Sequence, residues 1–291
     1  MKIIVNLAGG FGNQLFCYSF GYALAKKKNA ELILDTSTQD NGLTRNLELL
    51  QLNVRFDRRI SYKYKKEFIE RAILNKVRKR KAIGFSTKIY KEKSPTVFEK
   101  TVFVIQKSTY FNGKWQSEKY FSDYRTDLLK MFTPKEERNI MVRNICNEMK
   151  NCNSVAVHIR RGDYVKIGCQ LNMDYYDQSI SIMKSKYPKE KLILYVFSDD
   201  VNFCKKYFSR KRELAGKGIE LCYPQYESDN YTLDDLFLMS HCKHIIMANS
   251  SYSWWAAWLN QNNDKKVICP SFGMWREDFY PDEWLKIQCE K

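Results

Sequence analysis

Apolar and polar positions fall in short blocks along this chain, and the period changes from block to block. Ile3 to Leu7 is broken only by Asn6, the length of a buried strand. Glycines at 9, 10 and 12 follow, then Phe16, Phe20, Ala23 and Leu24, whose i, i+4, i+7, i+8 spacing lays one stripe along a helix. Glu31 to Asp35 reads as a second strand. Strand, glycine loop, helix and strand form the entrance to a doubly wound parallel sheet. From residue 153 the alternation is regular. Strands are predicted at 154–159, 192–197, 219–222, 244–247 and 266–269, with helices at 174–186, 201–208, 233–241 and 253–259 between them. Five short apolar strands joined by helices predict a parallel sheet covered on both faces. The pattern gives an α/β protein of two Rossmann-like, doubly wound domains, 1–150 and 151–291, the break following the charged helix that ends at Lys150. Two such domains facing each other would leave a cleft along the carboxyl ends of their strands, where ligands of open α/β sheets bind.

Composition narrows the classes. Apolar residues at 44% and charged residues at 28% exclude a disordered or fibrous chain. Lys and Arg number 49 against 33 Asp and Glu, a net charge of +16, which favours nucleotide phosphate, nucleic acid or an anionic membrane surface as partner. Nine cysteines, an odd number without a C-x-x-C, predict reduced thiols and a cytoplasmic location. His241, Cys242 and His244 lack a second ligand pair and read as a helix end running into a buried strand rather than a zinc site. The first residues are too short an apolar run for a signal peptide, and no run of about 18 apolar residues could span a bilayer. Arg58 to Lys81 is strongly basic, with Glu67 and Glu70 its only acids, and Phe68, Ile69, Ala72, Ile73 and Val77 set an apolar helical face beneath the charge. It reads either as a solvated surface helix or as a contact with an anionic membrane surface on the inner face of the cytoplasmic membrane.

Three loops at the ends of predicted strands carry groups a core would not want. The first is Gly9-Gly10-Phe11-Gly12-Asn13-Gln14, where glycine permits close approach of a ligand and the following helix N-terminus favours an anion. A dinucleotide fingerprint closed by Asp35 is its rival, but Leu15 stands at the third glycine position. The second is His158-Ile159-Arg160-Arg161-Gly162-Asp163-Tyr164. Paired guanidinium groups are the fork that grips phosphate, against a structural salt bridge to Asp163; His158 is a core histidine or a nucleotide contact. The third, Asn249-Ser250-Ser251-Tyr252-Ser253, brings hydroxyls and N–H groups to a helix start, a phosphate seat in which Ser251 also reads as the cap; Trp254, Trp255 and Trp258 read as core. Asp199 and Asp200, at another strand end, suit guanine N–H groups or ribose hydroxyls, or a helix cap. Thr232-x-x-Asp235 reads as a capping-box variant.

Taken together, Gly10-x-Gly12-Asn13-Gln14, the His158 to Tyr164 element, Phe197-Ser198-Asp199-Asp200 and Ala248 to Leu259 resemble the bacterial α1,2-fucosyltransferase family, in family order over most of the chain. The H-x-R-R-G-D-Y element is shared with chitin-oligosaccharide α1,6-fucosyltransferases and protein O-fucosyltransferases, so another linkage is the alternative; the A-N-S-S-Y-S-W-W-A-A-W-L run is more specific to the α1,2 group. The resemblance implies a glycosyltransferase-B-like fold, GDP-β-L-fucose as donor, a β-galactoside-terminated or lipid-linked glycan as acceptor, inversion to an α1,2 linkage, and no metal or other cofactor. It places Arg160 or Arg161 at the pyrophosphate, Ser250, Ser251 and Tyr252 in the phosphate seat, and Gly12 and Asn13 closing from the other domain, with Gly10, Gln14, His158, Asp199, Asp200 and Asn249 at the donor. Asp163 is the candidate for the base that takes the acceptor proton, or orients the arginines. Phe203 stands where relatives often carry tryptophan. A basic nucleic-acid-binding protein is the reading from a different class. The net charge allows it, but no helix-turn-helix, RNA-recognition or zinc signature appears.

Overall fold

The computed structural model describes residues 1–63, 70–211, 213–271 and 278–289. It divides into two compact units, 1–136 with 276–279, and 137–275 with 280–291. The first holds five strands, β1 (Lys2–Asn6), β2 (Glu31–Asp35), β3 (Arg58–Ile60), β4 (Lys88–Lys91) and β5 (Thr109–Asn112), in the order β3-β2-β1-β5-β4 with every pairing parallel. β1 and β2 lie at the centre because Ile3, Ile4, Val5, Leu32, Ile33 and Leu34 are apolar on both faces, and all are buried. The helix Phe11–Lys28 packs on them through Leu15, Phe16, Phe20, Ala23 and Leu24. Gly21 brings it close: a Cβ there would stand 2.5 Å from Val5 Cγ2. The helix ends on a left-handed Asn29, with Lys26, Lys27 and Lys28 in its last turn against the negative end of the dipole.

The second unit holds six strands, β6 (Ser154–Ile159), β7 (Leu192–Ser198), β8 (Ile219–Cys222), β9 (His244–Ile246), β10 (Val267–Ser271) and β11 (Leu285–Gln288), in the order β11-β10-β9-β6-β7-β8, again all parallel. Every residue of β6 is buried, which puts it in the middle. The five expected strands are present. The sixth, β11, is an edge strand with three of its four residues exposed, and its weak apolar pattern hid it.

Two expectations change. The unit boundary falls at 136/137 rather than near 150, because the helix Ile140–Asn151 turns Val142, Cys146 and Met149 inward and packs against the helix Tyr231–His241 of the second unit. The basic segment is not helical from its start: Arg58–Ile60 pairs as β3, and the helix runs Glu70–Ile83. Lys65, Lys66, Glu67, Phe68 and Ile69 lie outside the described residues, as do the side chains of Arg71, Ala72 and Ile73. Val77, expected on the covered face, is 50% exposed. Lys79 lies inward instead, its Nζ 3.9 Å from the centre of the Tyr110 ring, where burial lowers its pKa. All nine cysteines are free. No helix among the described residues is long and apolar enough to cross a membrane.

Both sheets reverse direction in the same manner. The chain runs outward from β6 through β7 and β8, then returns to lay β9 on the other side of β6. In the first unit it runs from β1 through β2 and β3, and β5 occupies the other flank of β1. Each reversal opens a crevice at the carboxyl ends of the two central strands, where α/β sheets hold ligands.

Candidate active site

In the second unit the crevice between β6 and β9 is walled by the arginine loop on one side and the Asn249–Ser251 loop on the other. Carboxylates from the end of β7 hold the arginines. Arg160 Nη1 lies 2.8 Å from Asp199 Oδ2 and its Nη2 donates to Asp163 Oδ1 at 2.6 Å. The Arg161 backbone N–H donates to Asp199 Oδ1 at 2.8 Å, and its Nε to Asp200 Oδ2 at 3.2 Å. The Arg161 guanidinium lies 3.3 Å over the Phe203 ring, so Phe203 is a platform for that side chain as well as packing. Gly162 makes this possible, since a Cβ there would stand 2.6 Å from Asp199 Oδ2. Both arginines therefore have acid partners, where a salt bridge was expected for one. The terminal nitrogens of Arg161 make no hydrogen bond among the described residues, which leaves them available to an oxyanion.

Several residues expected at the donor have partners within the protein. Asp199 and Asp200 are engaged by the arginine loop, and Asp200 also caps the helix Val201–Phe208 through the Phe203 N–H. The Tyr252 hydroxyl is spent on the Thr232 carbonyl at 2.5 Å. Ser250, not Ser251, caps the helix Ser251–Leu259, accepting from the Tyr252 N–H at 3.2 Å. The Ser251 hydroxyl has no partner among the described residues, so it and the helix N-terminus stay available to an anion. Asn230 takes the capping role read for Thr232. Trp254, Trp255 and Trp258 are core, as expected.

His158 lies in β6, and Asn249 follows β9, the strand beside it. Asn249 is buried and donates to the Cys169 carbonyl at 2.8 Å, bracing the loop that follows the arginines; its Oδ1 has no partner among the described residues. His158 is buried with Nδ1 equally unpartnered. Burial, reinforced by the Arg160 charge, lowers its pKa to about 4, so it is neutral at physiological pH. His244 is likewise lowered to about 4 by burial, with Nδ1 accepting from the Lys266 N–H at 3.1 Å. His241 Nδ1 lies 2.7 Å from the Phe237 carbonyl oxygen. None of the three histidines is poised to act as a base that titrates near neutrality.

In the first unit the crevice lies between β1 and β5. Gly9 has φ +80°, and a Cβ there would fall 2.5 Å from Asn13 Nδ2. Gly10 starts the helix, its carbonyl accepting from the N–H groups of Asn13 and Gln14. Asn13 Oδ1 accepts from Gln116 Nε2 at 2.9 Å, which turns the Asn13 N–H₂ away from that bond and leaves it without a partner among the described residues. Gln14, expected at the donor, is held within the protein. Its Nε2 donates to the carbonyls of Gly9 and Asn46 and its Oε1 accepts from the N–H groups of Glu48 and Leu49, so the buried amide is fully used in tying down the 46–49 segment. Gly12 is buried in the first turn. Asp35 is spent in the core on Ser37 and the Tyr110 hydroxyl, which disposes of the dinucleotide reading. Gln116 was not foreseen from the sequence, because a lone loop amide has no periodicity.

Parallel α/β units host many chemistries, and the comparison with known families makes this one a glycosyltransferase. The chain belongs to glycosyl transferase family 11, whose model matches residues 2–288. It is 34% identical to an α1,2-colitosyltransferase of Escherichia coli, covering 98% of this chain and 99% of that one. It is 30% identical to the O-antigen biosynthesis glycosyltransferase WbnK of Escherichia coli, covering 97% and 99%. In three dimensions it is similar to an Arabidopsis thaliana FUT1 variant in complex with GDP, with a TM-score of 0.51, 11% identity and coverage of 91% and 69%.

Proposed function

We propose that the chain transfers L-fucose from GDP-β-L-fucose to the 2-hydroxyl of a terminal β-galactoside, inverting to an α1,2 linkage, with no metal ion or other cofactor. The observation that carries this reading is the Arg160–Arg161 pair braced by Asp199, Asp200 and Asp163 at the β6–β9 crevice. The acceptor oxygen attacks the anomeric carbon from the face opposite GDP, the bond to the β-phosphate oxygen breaks, and charge develops on that phosphate. Guanidinium donors and the Ser251 end of the helix Ser251–Leu259 are fixed beforehand and stabilise it, work that a divalent cation does elsewhere. Asp163, at the rim and hydrogen-bonded to Arg160, takes the acceptor proton. Asn13, whose N–H₂ has no partner among the described residues, is read as a further contact for the donor sugar nucleotide.

The test is turnover of GDP-fucose with a panel of β-galactosides. An α1,2-fucosylated product is expected, at a rate unchanged by excess EDTA. A strict need for Mg²⁺ or Mn²⁺ would overturn the arginine mechanism. A second donor reading is favoured by the colitosyltransferase relative. Colitose is fucose without its 3-hydroxyl, so GDP-colitose belongs in the same assay, and faster turnover of it would reassign the donor.

The reading extends to a cytoplasmic protein that meets its acceptor at an anionic membrane surface through the 58–81 segment. Exposed Val77 stands among Lys76, Arg78 and Lys81 there, and each basic residue near such a surface is worth about 1 kcal/mol. In liposome flotation, binding is expected to require anionic lipid, to weaken with salt, and to fall when Lys76, Arg78 and Lys81 become Gln. Equal binding to neutral vesicles would refute the membrane contact.

A further inference from the structure

Glu92 follows β4 directly and extends it, its N–H donating to the Asn112 carbonyl at 3.0 Å. Its side chain folds over the end of β5. Oε2 accepts from the Lys114 N–H at 2.6 Å and Oε1 from the Trp115 N–H at 2.8 Å. Two successive backbone donors on one carboxylate define the turn that follows. Trp115 adopts φ +55°, a conformation a bulky residue does not take unaided. Its ring is fully buried and stacked on Phe20 at 4.0 Å between centroids, which locks the turn from the other side. Gly113 admits no side chain, because a Cβ would collide with Glu92. The next residue, Gln116, is the one that fixes Asn13 at the β1–β5 crevice.

We propose that Glu92 is a positioning residue for the transfer reaction: its carboxylate shapes the 113–116 turn, and through Gln116 it fixes the orientation of the Asn13 amide at the β1–β5 crevice. The proposal rests on the reading of Asn13 as a donor contact. It also makes the site respond to pH. Burial, foremost, and the Glu99 carboxylate push Glu92 up to about 7, against the two backbone N–H groups and the Lys114 charge. Cys17 of the helix Phe11–Lys28, and the hydroxyls of Tyr90 and Tyr120, also face it. Cys17 is held up to about 12 by burial and both phenols are raised, so Glu92 is the group of this cluster that changes charge near neutrality. Protonation replaces an acceptor oxygen by a hydroxyl, so one of the two N–H groups loses its partner as pH falls through about 7.

The experiment is a double-mutant cycle on the full chain, read as kcat and KM for GDP-fucose across pH. Asn13→Ala and Glu92→Gln are each expected to lower kcat at about pH 8 by about 10- to 100-fold, the cost of a misplaced contact group. The double variant should be no worse than the worse single, and the acid limb of the wild-type kcat profile should vanish in Glu92→Gln. Additive losses, or a Glu92→Gln variant with wild-type kcat and an intact acid limb, overturn the positioning role while leaving the donor reading in place. A silent Asn13→Ala removes the contact and the proposal with it. The side-chain amide resonance of Asn13 in the wild-type protein needs neither a stable variant nor a turned-over donor. It should shift with a midpoint near pH 7, and an invariant signal between about pH 5.5 and about 8.5 overturns the coupling.

Discussion

Replacing Arg160 or Arg161 by alanine is expected to lower kcat by about 10²- to 10³-fold for whichever arginine meets the β-phosphate, the loss seen when one preorganised donor is removed from a developing charge. The effect should fall on kcat more than on KM, because the charge it opposes is largest in the transition state. Lysine should rescue poorly. At position 161 the side chain needs a planar group to lie on Phe203 while Nε holds Asp200 and the terminal nitrogens stay free, and an ammonium does none of these together. At position 160 two carboxylates at separate angles require two separate N–H groups. Near-normal turnover in both alanine variants would remove the central assignment.

The second large effect is on stability. Arg138 and Asp234 form a pair in the second unit with side chains 14% and 0% exposed, Nε to Oδ1 at 2.5 Å and Nη2 to Oδ2 at 2.9 Å. Arg138→Met would strand a fully buried carboxylate, leaving it the Ser228 hydroxyl. The cost of breaking such a pair by removing one partner is about 3 kcal/mol or more. Urea unfolding should show the loss directly. Arg138→Met with Asp234→Leu should recover much of it, since an apolar replacement leaves no orphaned charge. A single variant as stable as the wild type would mean that water or the helix N-terminus solvates Asp234 adequately.

How much of this was legible depended on whether a residue's partner was near in the chain. β1 and β6 announced themselves because both faces are buried and the apolar run is unbroken or nearly so. β3, β4 and β11 did not: Arg58-Arg59-Ile60, Lys88-Ile89-Tyr90-Lys91 and Leu285-Lys286-Ile287-Gln288 are edge strands, and charge at an edge erases the pattern. The arginine loop was recognisable as a site, because two adjacent guanidinium groups at a strand end have few structural uses. The division of labour within it was not. Asp199 and Asp200 look like ligand acceptors until β7 is set beside β6 and brings them under the arginines 38 or 39 residues earlier. Gln14 belongs to a ligand-facing loop by position, yet three of its four partners lie 32 to 35 residues onward. Glu92 and Gln116 sit in stretches of no periodicity, and their importance exists only in the geometry of the turn between them.

The path of the chain near its end sets the order in which the protein can be completed during synthesis. Asp278 and Phe279 belong to the first unit, although most of the second unit precedes them. Asp278 there accepts from the Phe98 N–H and pairs with Lys119, and Phe279 is fully buried against Phe16. The unit translated first must therefore wait as well. Until the ribosome has released residues beyond 279, its core lacks a phenylalanine and a capping carboxylate, while the sheet of the second unit still lacks β11. Domains usually mature one after another from the N-terminus. Here neither unit is whole before the last stretch emerges, so a nascent chain stalled short of it carries two unfinished cores rather than one finished domain.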